Sequence, residues 1–350
     1  MNRAVHRAPH RPATRPMSRA GHDAIDVLIP TCDRPAALAV TLATLGSQSW
    51  PRLRIVISDQ SESDGACERP EVQAVLRYLR ATGRSVDTFR RLPRRGMAEQ
   101  RAFLLSQARA AYCLFVDDDV ILEPDLVARL HAVIRAEGCG FVGSALHGLS
   151  YLGQLRPAQE AVEFWNGPVR PETVRPGSTA WARHHLHSAA NLFHVQTRLA
   201  TGDGVNRRYK VAWVGGCVMF DTELLRAAGG FDFWRELPSQ HCGEDVLAQQ
   251  RVMARYGGCA ILPSGAYHLE LPTTVTTRAV DAPYVLPLGL AEPAPAPQDR
   301  LPPNRLPPDC LPPDCLPPDR LPPDRLPPDR RPPDRRMLDR RASRESDTLE

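Results

Sequence analysis

The sequence predicts an α/β fold whose central sheet is parallel, and three observations predict it. Short apolar runs of strand length alternate along the chain with longer stretches of helical spacing. One run, Tyr112-Cys113-Leu114-Phe115-Val116, is rich in aromatic and β-branched residues and reads as a buried strand. It ends in three consecutive acids, Asp117-Asp118-Asp119, at the place where open α/β sheets collect their ligands.

The elements follow in order. Ile25 to Ile29 is a first strand, closed by Pro30, and Thr31-Cys32-Asp33-Arg34-Pro35 is the loop after it. Ala36 to Leu45 is a helix, and Arg54 to Ser58 a second strand ending at Asp59. Glu71 to Ala81 is a helix with Val72, Val75, Leu76 and Leu79 on one face. Val86 to Leu92 forms a third strand, and Ala98 to Ala111 a helix running toward the acidic strand. Beyond the acids come a helix over Asp125 to Ala136 and a strand over Cys139 to Ser144. Residues 145–210 show no clear period, and the histidines His184, His185 and His187 within them read as an exposed acceptor loop. Strand character resumes from Trp213 to Phe220, with helices over Thr222 to Ala228 and Glu244 to Arg255. Cys259 to Leu262 is the last strand, followed by Tyr267-His268.

The flanks differ from this interior. Residues 1–23 carry Arg3, Arg7, Arg11, Arg15 and Arg19 among helix-breaking prolines and read as a disordered basic arm without the apolar core of a secretory signal. From 297 to 350 a Leu-Pro-Pro-Asp-Arg unit repeats, which favours polyproline II over helix or sheet. Residues 276–296 read as the linker to that tail, which leaves 24–275 as the folded domain. The net charge of +4 is small, and no basic face with a nucleic-acid module is evident, which argues against a nucleic-acid partner. Nine scattered cysteines without metal or redox spacing fit a reducing cytosol. No apolar stretch has the length of a membrane span, so the expected place is the cytoplasm, including peripheral association with the inner face of the membrane.

Three adjacent carboxylates repel one another, and burying even one unpaired costs several kcal/mol. A divalent cation with oxygen ligands is the natural counter-charge. The other reading is an acidic loop leading into a helix, whose N-terminus favours acids. The pair Glu244-Asp245 likewise reads either as first-turn capping or as chemistry.

Several motifs then resemble, in order, those of the family 2 glycosyltransferases. They are Val27 to Pro35, Gln48, Asp59 to Gly65, Gly96 to Arg101, Asp117-Asp118-Asp119 as an Asp-x-Asp motif, Gly229-Gly230-Phe231-Asp232, and Glu244-Asp245 with Arg251 downstream. The resemblance covers residues 25–270. It implies the GT-A fold of nucleotide-diphospho-sugar transferases, with a mostly parallel mixed sheet flanked by helices. It also implies an inverting transfer from a nucleotide-diphosphate sugar to an acceptor hydroxyl with Mg²⁺ or Mn²⁺. Asp245 would be the general base, and Glu244 would orient the site or bind the acceptor. Asp119 would be the more direct metal ligand, Asp117 would serve metal or ribose, and His268 would reach the metal. Asp33 and Asp59 would bind the base, and Arg101 a phosphate, with Thr31, Arg34, Asp117 and Asp118 completing the donor site. The acceptor, whether a glycan, a lipid-linked group or a small molecule, stays open. Ala102 and Leu247 depart from the family pattern, and Leu247 thins the acceptor-side motif. The alternative is a catalytically silent GT-A-like protein that tethers partners through its proline-rich tail. A nucleotidyltransferase or a Rossmann dehydrogenase would need glycine-rich phosphate loops that this chain lacks.

Overall fold

The structure is a computed structural model that describes residues 24–62, 64–199, 206–275 and 278–289. The basic arm, the proline repeats and Gly202-Asp203-Gly204 lie outside the described residues.

The first half is a run of strand–helix units. It comprises β1 (Ile25–Thr31), α1 (Pro35–Gly46), β2 (Leu53–Asp59), α2 (Pro70–Ala81), β3 (Ser85–Arg90), α3 (Met97–Gln107) and β4 (Tyr112–Val116). Then come β5 (Val120–Leu122), α4 (Leu126–Glu137), β6 (Phe141–Gly143), α5 (Asn191–Leu199) and β7 (Arg207–Tyr209). The chain continues through β8 (Cys217–Asp221), α6 (Thr222–Ala227), α7 (Glu244–Tyr256), β9 (Gly258–Leu262), β10 (Ala266–His268) and α8 (Ala282–Val285). Eight strands make one sheet in the order β3-β2-β1-β4-β8-β6-β9-β7. In it β8 and β7 run against the others. This is the mostly parallel, helix-flanked arrangement of a GT-A-like fold.

The period-2 geometry of a strand explains the layering. Ile25, Val27 and Ile29 of β1 join Leu38, Leu42, Val72, Leu76 and Leu130 on one side of the sheet. Leu28 points the other way, into a second apolar layer with Leu104, Leu225, Leu247 and Val252. Both faces are covered, which is why β1 is buried along its whole length. Leu247 is itself fully buried, so the position that departs from the family pattern is spent on packing. Pro35 starts α1 with a ring already set for helix, and Asp221 caps α6 by accepting from the Glu223 and Leu224 amides.

Four readings need correction. The run from Trp213 to Phe220 is strand only from Cys217, because Gly216 takes a positive φ of 76° and the Gln249 side chain engages both the N–H and the carbonyl of Val214. β5 and β10, three residues each, pair antiparallel as a separate ribbon that joins distant parts of the sequence. The histidine segment is not an open loop. It forms a 3-10 helix over Thr179–His187, where His187 shares a 3.0 Å hydrogen bond with the buried Tyr209 hydroxyl. Finally, residues 278–289, read as linker, lie on the domain: Ala282 is fully buried, its N–H donates to the Cys242 carbonyl, and Arg251 donates to the Pro287 carbonyl.

Candidate active site

The parallel register puts Thr31 opposite Asp59, and β4 ends beside them at the same sheet edge. The three acids therefore leave the sheet where the β1 loop also leaves it. Each carboxylate meets a different partner. Asp117 accepts from Arg101 Nη2 at 2.8 Å, while its own N–H donates to the Gly216 carbonyl. Asp118 accepts from Thr31 Oγ1 at 2.6 Å, and its backbone carbonyl accepts from Thr41 Oγ1 at 2.9 Å. Asp119 accepts from Arg34 Nη1 at 2.7 Å and lies 3.3 Å from His268 Nε2.

These partners set the protonation of the acids. Burial pushes Asp118 up to about 7, with the Asp119 charge adding to it and the Thr31 hydroxyl and Arg34 opposing. Burial also acts on Asp119, but His268 and Arg34 outweigh it and hold its carboxyl below the usual range. Arg34 is fixed in turn by the Pro272 carbonyl, so the segment after β10 closes against the acid edge.

The second acidic set stands across from the first, and Arg101 joins them. Its Nε donates to Glu244 Oε1 at 3.1 Å from the same guanidinium that binds Asp117. Arg101 is 5% exposed, so two carboxylates on opposite walls share one buried cation. The sequence assigns Arg101 to a phosphate; the structure commits it to these two acids. Asp245 follows on α7. Burial, then the Glu244 charge, lift Asp245 to about 7 against the pull of Arg101. The helix dipole at the first turn favours the ionised form, but burial beside a second acid outweighs it. Asp281, which sequence reasoning missed, lies beside it. A Cβ placed on Gly243 would meet Asp281 Oδ1 at 2.0 Å, and burial with the Asp245 charge raises Asp281 to about 6. Only the contact between the segment after Val280 and the turn before α7 reveals it.

Asp59 does not face the site in the expected way. It is 2% exposed, and its carboxylate accepts from the Ser61 amide and hydroxyl and from the Cys67 amide. Those bonds shape the loop after β2. Asp33 is exposed at a positive φ of 58°, with its own N–H donating to Ser61 Oγ. A cavity of about 250 Å³ opens next to this loop, lined among others by Cys32, Gln60, Arg94, Gln100 and His241. Gln60 and Gln100 were not singled out in the sequence. Gln100 Nε2 reaches the Thr31 carbonyl at 3.0 Å, and Gln60 Nε2 reaches Glu99 at 2.9 Å.

A cation at this edge depends on what the side chains can donate. Among the described residues, no three His, Cys, Asp or Glu side chains come together as a ligand group. His268 Nδ1 accepts from the Glu270 N–H at 3.0 Å, so the neutral ring carries its proton on Nε2, facing Asp119. Burial opposes charge on His268, yet Asp119 and then Asp117 raise it above an ordinary histidine. His268 therefore stands on the same edge as the acids, with Nε2 turned toward the Asp119 carboxylate. The carboxylates of Asp117 and Asp119 are the donors this edge provides, which suits an ion that fills its shell with phosphate oxygens and water. Among the described residues no helix is long and apolar enough to cross a membrane.

Residues 26–196 match the family model described as glycosyl transferase family 2. Among solved structures the chain is similar to TarS 1-349 of S. aureus, with 15% identity and a TM-score of 0.46, over 71% of this chain and 60% of that one. The same fragment in complex with UDP-GlcNAc gives 14% identity and a TM-score of 0.47, over 72% and 60% of the two chains. The mannosyltransferase PcManGT of Pyrobaculum calidifontis, in complex with GDP-Man and Mn²⁺, gives 16% identity and a TM-score of 0.40, over 70% and 60%. The matched part thus spans about 60% of the length of these neighbours. No curated protein matches the chain by sequence.

Proposed function

We propose that this chain, whose residues 26–196 belong to glycosyl transferase family 2, moves a sugar from a nucleotide-diphosphate donor to an acceptor hydroxyl with inversion. One observation carries the reading: Arg101 ties Asp117 on the donor edge to Glu244 beside Asp245, so both acidic motifs face one cleft.

In that cleft Asp245 takes the proton of the acceptor hydroxyl. The oxygen bonds to the anomeric carbon while the bond from that carbon to the phosphate oxygen breaks, and its electron pair leaves with the diphosphate. A carboxyl raised to about 7 is matched to this role, since a base works best when its pKa lies near the working pH. Glu244 and Arg101 hold the position of Asp245. Thr31 and Arg34 hold the Asp118 and Asp119 carboxylates, and the cavity beside Gln60 and Gln100 is the place for the nucleoside. A divalent ion bound by Asp117 and Asp119 would neutralise the charge that grows on the leaving diphosphate.

The test is a thermal-shift screen of the purified chain against UDP-, GDP- and dTDP-sugars, with Mn²⁺ or with EDTA. A ligand that binds only the folded state raises the melting point. One donor class is expected to do so with Mn²⁺ and to lose the effect in Asp119→Ala. Binding that ignores both chelation and Asp119→Ala would sink the metal assignment.

A further inference from the structure

Two of the chain's five tryptophans and one of its seven tyrosines gather in one aromatic group, its indoles packed against the edge of the second apolar layer. Trp181 and Trp213 lie 4.8 Å apart by ring centroid, tilted at 48°. Tyr284 stands nearly perpendicular to Trp181 at 5.8 Å and is 54% exposed. His184 stacks on Trp213 at 4.9 Å and 13°, which fixes that indole's orientation. Both indoles are only partly buried.

The chain fastens this group to the helix that carries Asp245 from two directions. Trp213 precedes Val214, whose N–H donates to Gln249 Oε1 and whose carbonyl accepts from Gln249 Nε2, both at 2.8 Å. Gln249 is four residues after Asp245, on the same face of α7. Tyr284 lies on α8, whose Ala282 N–H donates to the Cys242 carbonyl, three residues before Asp245. Asp281 at the start of α8 reaches Gly243. Both anchors lead to the turn and helix that carry Asp245, and the Trp213 segment continues to Gly216, whose carbonyl accepts from the Asp117 N–H.

We propose that Trp181, Trp213 and Tyr284 form the platform on which a pyranose ring of the acceptor lies, so that the acceptor is itself a sugar or ends in one. A pyranose has an apolar C–H face and a rim of hydroxyl groups. Rigid aromatic rings bury such a face at little entropic cost, while polar groups at their edge meet the hydroxyls. Here the polar groups beside the rings are His184, stacked on Trp213, and His185 next to it. A wholly aliphatic acceptor would need no polar groups there, and an anionic one would be repelled by the Asp281 and Asp245 carboxyls. The inference rests on the transferase reading of the cleft, and it supplies the class of acceptor.

The full chain is titrated with methyl α- and β-glycosides of glucose, galactose, mannose and N-acetylglucosamine while tryptophan emission is read. Binding of UDP-GlcNAc and GDP-mannose with Mn²⁺ is measured in parallel by calorimetry. At least one glycoside is expected to change the emission saturably. Trp213→Ala should weaken it about tenfold or more, and Trp213→Phe should restore most of the affinity, with donor binding unchanged in both. Should Trp213→Ala not fold, Tyr284→Ala at the exposed wall serves instead, with a loss of about threefold or more expected. The proposal is overturned if no glycoside registers, or if Trp213→Ala binds as the wild type does. If glycosides bind but no nucleotide-sugar does, the platform stands and the transferase reading falls; donor binding without glycoside binding means the reverse.

Discussion

Arg101→Met isolates the clamp between the two acidic walls. The methionine keeps an apolar stem near the Phe115 ring, over which the guanidinium lies at 5.7 Å, and removes the charge. Glu244, only 6% exposed, then has among the described residues no cationic partner but His241, whose Nε2 is 4.0 Å away and already accepts from the Ala98 N–H. Removing one partner of a buried ion pair costs about 3–5 kcal/mol, because the other charge is stranded. At about 2–4 °C per kcal/mol for a domain of this size, the melting temperature should fall by roughly 6–20 °C. A stranded carboxyl binds its proton more tightly in the folded state than in the unfolded one. Stability is therefore lost as pH rises, and the deficit should be larger at pH 8 than at pH 5. Glu244→Gln in the same chain removes the stranded charge and should recover much of the loss. Thermal melts by circular dichroism of the single and double variants at both pH values read all of this. A drop below about 2 °C, or a double variant no better than the single, would refute the clamp.

Other expectations follow from single residues. His147 is fully buried, and burial lowers it from 6.5 to about 4 against the opposing pull of the Gln196 side chain and the Glu123 charge. Between those values the unfolded chain takes a proton that the fold refuses, so stability falls as pH drops from about 6.5 to 4, by on the order of 3 kcal/mol. Urea midpoints at pH 7 and pH 4.5 should show the loss in the wild type and a smaller one in His147→Leu. Gly243 holds a positive φ of 75°, and a Cβ there would meet Asp281 Oδ1 at 2.0 Å and Pro283 Cδ at 2.7 Å. Gly243→Ala should cost about 2–4 kcal/mol by urea unfolding and displace the start of α7, lowering turnover as well. An unaltered denaturation midpoint would show that the turn can relax.

Much of the fold was legible because its signals are local. Apolar runs such as Ile25–Thr31 and amphipathic stretches such as Pro70–Ala81 announce themselves by period, and glycines at 229, 230 and 257 punctuate the helices. The site was legible as residue types at strand ends and at one helix start. Its wiring was not. Nothing near Asp59 in the sequence says that the Ser61 and Cys67 amides will turn back to claim its carboxylate. Arg101 reads as a phosphate ligand until α7 is folded against α3 and brings Glu244 to it. The proton on His268 Nε2 depends on a backbone N–H two residues later, a detail that spacing does not carry. β5 and β10 are too short to show a period, and each exists because the other lies beside it. The aromatic group at Trp181, Trp213 and Tyr284 is assembled from three separate segments, so no window of sequence contains it.

Asp245→Asn tests the central claim most directly, with turnover and donor affinity measured on the same preparation. The amide fills the same space and cannot take the acceptor proton. Transfer should fall by about 10²–10⁴-fold while the donor Kd stays at the wild-type value, and the wild-type rate should climb with pH to a plateau above about 7. Transfer that survives within a few-fold, or a donor affinity that collapses together with the rate, would contradict Asp245 as the base.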